Sequence, residues 1–486
     1  MSSRCQHPAN RRSAVSSSDI CTAKRSRSEP LIGSLPEGIM HDIVSRLTLK
    51  DAVRTSSVST TWRRLWTCHP DLCFDGPTIL NREPGSRSRR RRHRFIRRVN
   101  AILESHDGTR LRRFKIAFTL DIRHAKYLDQ WLNFALDSKA SIISVNLRPV
   151  LHKGSVRSWE ETYTLPVSMF SSQCASCIEM LQLGCVSLKP PHDFDGFANL
   201  RVLDLECVYM LGGNLDLLLS KCNALECLRL SRCCPMPNLK VQQPLCRLSY
   251  LSVRECLPQG MEFNAPNLTK FDYSGEAIPI TLSESMKLTQ ATVALMGYDD
   301  TLEHVLTELP KTLSHVETLS VRTCINTEVF GFSRCLVKYN HLIKLEVTVS
   351  ILGDSRNRNG ILRLANLLEV APHLQRLELN MLPHVSTGFL NNVPEAYWHI
   401  QPCTHRHLEQ VEVSGFIGVN GQLELVLYIL DNAVALRGMS IEPRVTAYDR
   451  VFGYWAGLDI DIKRGRECVL KNILPEDYPD VQIEIF

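Results

Sequence analysis

Eighteen cysteines and sixteen histidines supply the groups from which metal sites and nucleophiles are built. Cys174 and Cys177 are separated by two residues, as zinc ligands often are, and Cys233 adjoins Cys234. A structural zinc site needs a second matched pair at close spacing. None stands near Cys174, so no metal is expected. Gly415, Gly418 and Gly421 fall between an expected strand and an expected helix, the setting of a dinucleotide loop. Their spacing is GxxGxxG rather than GxGxxG and no acidic ribose partner can be singled out, so they read as a turn and no cofactor is expected. The sequence carries no nucleophile elbow, Walker loop or HExxH helix. A thiol that forms covalent intermediates needs an accessible, electropositive setting. Catalysis by a side chain of this chain is therefore not expected.

The other chemistry-bearing feature is charge. Residues 1–100 hold 20 basic against 8 acidic side chains, whereas the whole chain of 486 residues has a net charge of +6, so the remainder is mildly acidic. Eight arginines occupy the twelve positions from Arg87 to Arg98. Such a run could hold phosphates through counterion release. It has only Phe95 as an aromatic companion and leads into FIRRVNAILESH, whose Phe95, Ile96, Val99, Ile102 and Leu103 form an apolar helical stripe. We therefore read 77–109 as a solvated Arg-rich linker and connecting helix, with nucleic acid disfavoured as a partner. Residues 1–30 are Ser- and Arg-rich with few apolar side chains, which predicts a disordered tail. Their clusters Arg11-Arg12 and Lys24-Arg25-Ser26-Arg27 resemble a bipartite nuclear import signal, and a plain charged tail remains the alternative. No apolar run approaches the 18 residues that span a bilayer, and no apolar stretch follows the first positive charges. The expectation is a soluble protein of the nucleus and/or cytoplasm, not a membrane protein, with reduced cysteines.

At Leu31 the composition changes. Ser34 and Glu37 have capping-box spacing, Pro36 suits a first helical turn, and Ile39, Ile43 and Leu47 recur on one helical face with Met40 and Val44 beside them. A second helix is expected from Leu49 with Asp51 at its positive end, and Ser59 can cap a third that bears Trp62, Leu65 and Trp66. Three helices in so short a span bury little area, so apolar side chains left outside gain stability from a partner. Leu35-Pro36, Ile39, Ile43, Leu47, Asp51, Val58-Ser59 and Trp62-Arg63 resemble the F-box, here over 31–76. That resemblance implies docking on a Skp-type adaptor and, through it, on a cullin-RING scaffold of a ubiquitin ligase. Carried over by position, Leu35, Pro36, Ile39, Ile43, Leu47, Val58, Trp62 and Leu65 form or support the adaptor interface, some of them as internal core.

Beyond residue 110 an LxxLxL pattern recurs, with other apolar residues substituting. Thirteen candidates begin at Leu111, Ile142, Ile178, Leu200, Leu225, Leu248, Leu268, Leu288, Val316, Leu342, Leu374, Leu408 and Leu436, at steps of 20 to 36 residues. The last two apolar positions alternate at period two, as in a short strand with one buried face, and a recurrent unit of this length predicts stacked strands in a leucine-rich-repeat solenoid. ILRLANLLEVAP reads as a helical return, PQGMEFNAPN as an extended one. Cys233, Cys256 and Cys324 occupy the Asn/Cys position of the repeat, with Cys185 and Cys207 one residue earlier, which makes these thiols small, buried and unreactive.

The stretch SGFIGVNGQLELVLYILDNAVALRGMSIEPR resembles the FBD motif of plant F-box proteins. Glu424, Leu425, Leu427, Leu430, Ala433 and Leu436 supply its helix and exit, and Met439 and Ile441 its strand, covering the last repeat. The closing EDYPDVQIEIF is assigned only as an edge strand. The fold class is thus a small all-α module of three helices followed by an α/β leucine-rich-repeat solenoid, with parallel strands on the concave face over 110–407 and the last repeats with an FBD-like cap over 408–486. The resemblance as a whole is to plant F-box/LRR/FBD proteins. It implies the substrate-recognition subunit of an SCF-type ubiquitin ligase that acts by proximity. A repeat scaffold outside ubiquitination and an Arg-tract nucleic-acid binder are the alternatives. Substrate contacts are expected from residues between and just after the inward pair of each unit: Asp204, Arg229, Ser231, Arg254, Arg322, Glu346, Glu378 and Glu412. Arg229 and Arg254 suit an acidic or phosphorylated segment, and the later carboxylates suit a basic one.

Overall fold

The structure is a computed structural model that describes residues 35–57, 60–80, 88–109, 111–147, 159–170, 176–194, 196–210, 213–297, 299–326, 337–352, 358–383, 403–418, 421–443, 448–449, 454–455 and 462–486. The tail 1–30, both import-like clusters, Ser34, Val58-Ser59 and Cys174 lie outside these residues. The described residues form two units, one ending at Trp66 and one running from Thr67.

The first unit holds α1 (Glu37–Ser45), α2 (Leu49–Thr55) and α3 (Thr60–Leu65). Pro36 immediately precedes α1 and its carbonyl accepts from the amides of Ile39 and Met40, so the proline closes the first turn without needing a donor of its own. Thr48 caps α2 by accepting the Asp51 amide at 3.3 Å. The core between the helices is Met40, Val44, Ala52, Trp62 and Leu65. Thus α1 turns Met40 and Val44 inward, and the expected stripe of Ile39, Ile43 and Leu47 lies toward its outer side.

In the second unit fifteen strands form one parallel sheet, and their order across the sheet is their order in the sequence. They are β1 (Asp71–Asp75), β2 (Arg113–Ala117), β3 (Ile142–Asn146), β4 (Met180–Gly184), β5 (Val202–Glu206), β6 (Cys227–Ser231), β7 (Tyr250–Arg254), β8 (Lys270–Gly275), β9 (Gln290–Leu295), β10 (Thr318–Asn326), β11 (Lys344–Leu352), β12 (Arg376–Pro383), β13 (Gln410–Ser414), β14 (Gly438–Glu442) and β15 (Gln482–Ile485). The register repeats without a slip: Leu203 faces Leu228, which faces Leu251, and Leu205, Leu230 and Val253 follow two residues on. All six are fully buried, because period two sends both members of each pair to the same side.

Behind the sheet, returns are helical where the connection is long, as in α5 (Ala125–Asp137) and α6 (Gln422–Asn432), and extended where it is short. The extended returns Leu239–Lys240, Met261–Asn264 and Ile280–Ser283 form a small parallel sheet of their own. This agrees with the reading of PQGMEFNAPN, and the ILRLANLLEVAP return is helical through Asn366–Val370.

Three features differ from the sequence reading. The third strand follows a unit that begins at Ala140, not Ile142: Phe114 pairs with Ile143, and Ile143 and Val145 are the buried pair. Ala140 is buried but small, so it is inconspicuous beside two adjacent isoleucines. The sheet also starts earlier than the repeat, at β1, within the span assigned to the helical module. Finally, the connecting helix begins earlier than FIRRVNAILESH suggests: the arginine tract from Arg89 onward, read as linker, is already part of α4 (Ser88–Ser105). Phe95, Ile96 and Val99 anchor it, Phe95 stacking on Phe118 at 4.0 Å between ring centroids.

Candidate partner-binding surfaces

On the helical unit, Ile39 stays 49% exposed and Pro36 is exposed beside it. A β-branched aliphatic side chain held on a helix with half its surface in water is the costliest apolar exposure in this small unit. Leu35, Ile43 and Leu47 are partly buried against the core, whereas Trp62 and Leu65 are inside it. The eight positions therefore divide: Pro36 and Ile39 are available to a partner, Leu35, Ile43 and Leu47 border that patch, Trp62 and Leu65 support it from within, and Val58 lies outside the described residues.

On the sheet, all eight expected substrate contacts occupy the face opposite the buried pairs. Asp204 on β5 registers against Arg229 on β6. Burial raises the Asp204 carboxyl above its usual range, a push that Arg229 opposes. The Arg229 guanidinium lies over the Tyr250 ring at 5.2 Å, and Lys270 approaches the same ring at 5.6 Å. Arg254 is held by Asp272 at 2.9 Å, and Tyr250 donates its hydroxyl to the same carboxylate at 2.6 Å. Burial, with that bond, pushes the Tyr250 phenol up. Arg229 and Arg254 do not form a paired clamp, since Arg254 already faces a carboxylate that is only 5% exposed. Ser231 faces Arg254 across the register, and Arg322 stands farther along, between Ala294 and Thr348.

Glu378 on β12 registers between Glu346 on β11 and Glu412 on β13, successive members about 4.8 Å apart in strand spacing. Lys344 reaches Glu378 at 2.6 Å, while Arg376 bonds Gln410. Tyr250, Lys270 and Asp272 belong to this surface although sequence reasoning did not single them out. Tyr250 and Lys270 precede the inward pair of their strands, and the same period-two alternation that exposes the residue after the pair exposes the residue before it.

The thiols at the Asn/Cys position are interior. Cys233, Cys256 and Cys324 are buried, and Cys233 and Cys324 direct Sγ to the carbonyls of Leu205 at 3.3 Å and Gly297 at 3.4 Å. Cys185 and Cys207, one position earlier, are half-buried rather than enclosed as expected: φ of 55° and 51° makes them the left-handed residue that follows β4 and β5, as Arg232 and Glu255 follow β6 and β7. Among the described residues no three His, Cys, Asp or Glu side chains gather as a metal site. A cleft of about 320 Å³, lined by Ile280, Leu282, His304, Glu308, Lys311 and Thr312 among others, opens behind the sheet. Its one ion pair, Glu308 with Lys311 at 2.7 Å, is satisfied internally.

The glycine-rich turn at the end of the repeats is a local device. Gln422, fully buried, accepts the Ile417 amide at 3.0 Å and donates to the Gly415 carbonyl at 3.0 Å. Glu424 accepts the Gly421 amide at 2.8 Å, which opens α6. The Glu424–Leu436 segment is thus a regular return leading to β14, where Met439 and Ile441 are the buried pair. One further helix, α7 (Ile462–Asn472), and β15 follow it.

Residues 102–454 match the family model of the At1g61320/AtMIF1 leucine-rich-repeat domain, and residues 32–73 match that of the F-box domain. The F-box/FBD/LRR-repeat protein At1g13570 of Arabidopsis thaliana is 24% identical over 436 residues, covering 87% of this chain and 93% of that one. The F-box/FBD/LRR-repeat protein At5g56420 of the same plant is 25% identical over 429 residues, 86% of this chain and 92% of its own. The putative F-box/LRR-repeat protein At3g58880, also from Arabidopsis thaliana, is 29% identical over 256 residues, 50% of this chain and 52% of its own.

Proposed function

Since the chain belongs to the plant F-box/LRR/FBD family, we propose that it is the substrate-recognition subunit of an SCF-type ubiquitin ligase. The helical unit docks on a Skp-type adaptor, and the outward face of the fifteen-stranded sheet holds the protein to be modified. No residue of this chain takes part in ubiquitin transfer. Holding an acceptor lysine near a charged ubiquitin carrier raises its effective concentration, and that alone accelerates transfer.

The observation that carries the reading is Ile39, exposed next to Pro36 over a core of five buried side chains. Covering the exposed half of Ile39 gains roughly 1 kcal/mol, about half of what a fully exposed aliphatic side chain would gain. Ile39→Asp places a charge at the centre of this exposed patch without touching the core. Purified adaptor should co-elute with the intact chain and be lost, by tenfold or more in affinity, with Ile39→Asp at unchanged melting temperature. Full retention of the adaptor by that variant would exclude docking through this face.

The carboxylate row Glu346, Glu378 and Glu412 supports a basic target segment on β11 to β13. The arginine pair gives comparable support to an acidic one, since Arg254 is matched by Asp272 as Glu378 is by Lys344.

A further inference from the structure

Four histidines occupy one position in four successive repeats. His315, His341, His373 and His407 each directly precede the apolar residue that opens a unit, Val316, Leu342, Leu374 and Leu408. The five units before them carry Asn, Ala, Arg, Asn and Lys at that position, so the repeat itself does not ask for an imidazole. Each histidine stands three residues before its strand, β10, β11, β12 or β13. Thr318 registers with Lys344, Lys344 with Arg376 and Arg376 with Gln410. The four histidines therefore come to the same rim of the sheet, successive strands being about 4.8 Å apart.

The rings meet in pairs. His315 and His341 have ring centroids 5.5 Å apart and are tilted by 32°, and His373 and His407 are 5.2 Å apart and tilted by 46°. His341, His373 and His407 are exposed and His315 is half-buried. Among the described residues none of these four side chains makes a hydrogen bond or an ion pair. The contrast with His405, two residues before His407, is direct. That ring is buried, with Nε2 2.9 Å from the Ala371 carbonyl and Nδ1 accepting the Leu408 amide, so both of its nitrogens serve the fold. The rim rings keep theirs uncommitted.

Two imidazoles at this separation suit a transition-metal ion. Imidazole nitrogen is a ligand for zinc, copper and nickel, and a tetrahedral zinc with Zn–N of about 2.0–2.1 Å places the centres of two such rings roughly 5 Å apart. Rotation of an imidazole about χ2 is soft, so each ring turns a nitrogen into the gap with the backbone unmoved.

We propose that His315 with His341, and His373 with His407, are two surface sites for a divalent transition-metal ion such as zinc, each tying one repeat to the next. Among the described residues no third His, Cys, Asp or Glu completes either set. The two rings fill half of a tetrahedral shell and leave two positions for water or for a side chain of a bound protein. Ligand spacing read along the chain passes over such sites, because the members of a pair are a whole repeat apart and meet only through the stacking of strands.

The test uses the full chain, with its accessible thiols alkylated so that cysteine contributes no ligand, stripped with EDTA and titrated calorimetrically with zinc chloride alone at neutral pH. The intact chain should take up about two ions, the His315→Gln, His341→Gln variant about one, and the variant lacking all four rings none. Because the rings of a pair share one ion, His373→Gln alone should remove as much binding as His373→Gln, His407→Gln together. Zinc should raise the melting temperature of the intact chain and not that of the four-ring variant, since an ion held only by the folded state stabilises it. Without zinc the two should melt alike. A control lacking two exposed rings elsewhere, His93→Gln, His192→Gln, should bind as the intact chain does. Absence of zinc uptake by the intact chain would overturn the proposal. So would unchanged uptake in the four-ring variant, or losses that simply add over single substitutions, as rings acting independently would give.

Discussion

His106 and His405 each hold the chain in two places at once. His106 Nε2 lies 3.0 Å from the His69 carbonyl while its Nδ1 accepts the Gly108 amide. His405 Nε2 lies 2.9 Å from the Ala371 carbonyl while Nδ1 accepts the Leu408 amide. Both rings therefore accept at one nitrogen, a role the doubly protonated form cannot fill. Burial lowers the pKa of both, and of His304 in the cleft. In the unfolded chain these rings titrate near the usual value of about 6.5. Acid therefore protonates the unfolded state first, so stability is complete above about pH 6.5 and declines as pH falls through and below it. Asp121 adds a second window. Burial opposes its charge, but hydrogen bonds from Arg123 and the charges of His124 and Arg123 outweigh that and bring it down to about 2. Its contribution is present above about pH 4 and is lost toward pH 2. Thermal melts from pH 7.5 to 5 should show the first decline, and a flat profile would contradict the buried histidine geometry. The thiols give an independent residue-scale check. Burial pushes Cys222 up to about 12, and Cys233, Cys256 and Cys324 are enclosed. Maleimide mapping of native protein should label exposed Cys246 and leave these four unmodified until denaturant is added.

Between elements, the close fits are where single substitutions should act. Gly465 on α7 packs so near the Phe416 carbonyl that an added Cβ would lie 2.1 Å from it. Gly465→Ala must push α7 off the turn, and with it β15; a loss of about 1–3 kcal/mol is expected from overpacking, measured as a shifted denaturation midpoint. Asp300 joins the loop before β10 to the helical return at Arg363, accepting from both guanidinium ends and from the Asn326 amide at 2.9 Å. Removing that carboxylate from beside a nearly buried arginine should cost about 3–5 kcal/mol, and Asp300→Ala that melts like the intact chain would contradict the pair. Legibility in the sequence followed the same physics. Twelve of the thirteen repeat starts fall three residues before a buried pair because every one is an aliphatic side chain that the stack must bury. The first strand escaped because the corresponding position is polar, His69, although Leu72 and Phe74 are fully buried on β1; the last, with Asp480 there, was legible only as an edge strand, which β15 is. The helix was legible from Phe95 onward by its apolar stripe, but not its start at 88–94, which holds no apolar side chain to mark a face, although arginine is a good helix former. On the helical unit the sequence expected some of the eight positions to be internal core, but not which: Trp62 and Leu65 on α3 face inward and Ile39 on α1 outward, which only the packing of the helices decides.

At the scale of the whole molecule, the charge of the first hundred residues and the opposite balance of the rest belong to different tasks. In the proposed reading Ile39 with Pro36 meets the adaptor, and the row of Glu346, Glu378 and Glu412 meets the target. The ligase reading requires the two to act jointly, with neither sufficient alone. The measurement that tests this most directly is a reconstituted reaction containing adaptor, cullin, RING subunit and charged ubiquitin carrier, with a protein captured on the intact chain as acceptor. Ubiquitin should be transferred to that acceptor with the intact chain and not with Ile39→Asp, although the variant still captures the acceptor. Equal transfer with Ile39→Asp, or none with either form when the adaptor is bound, would contradict the account.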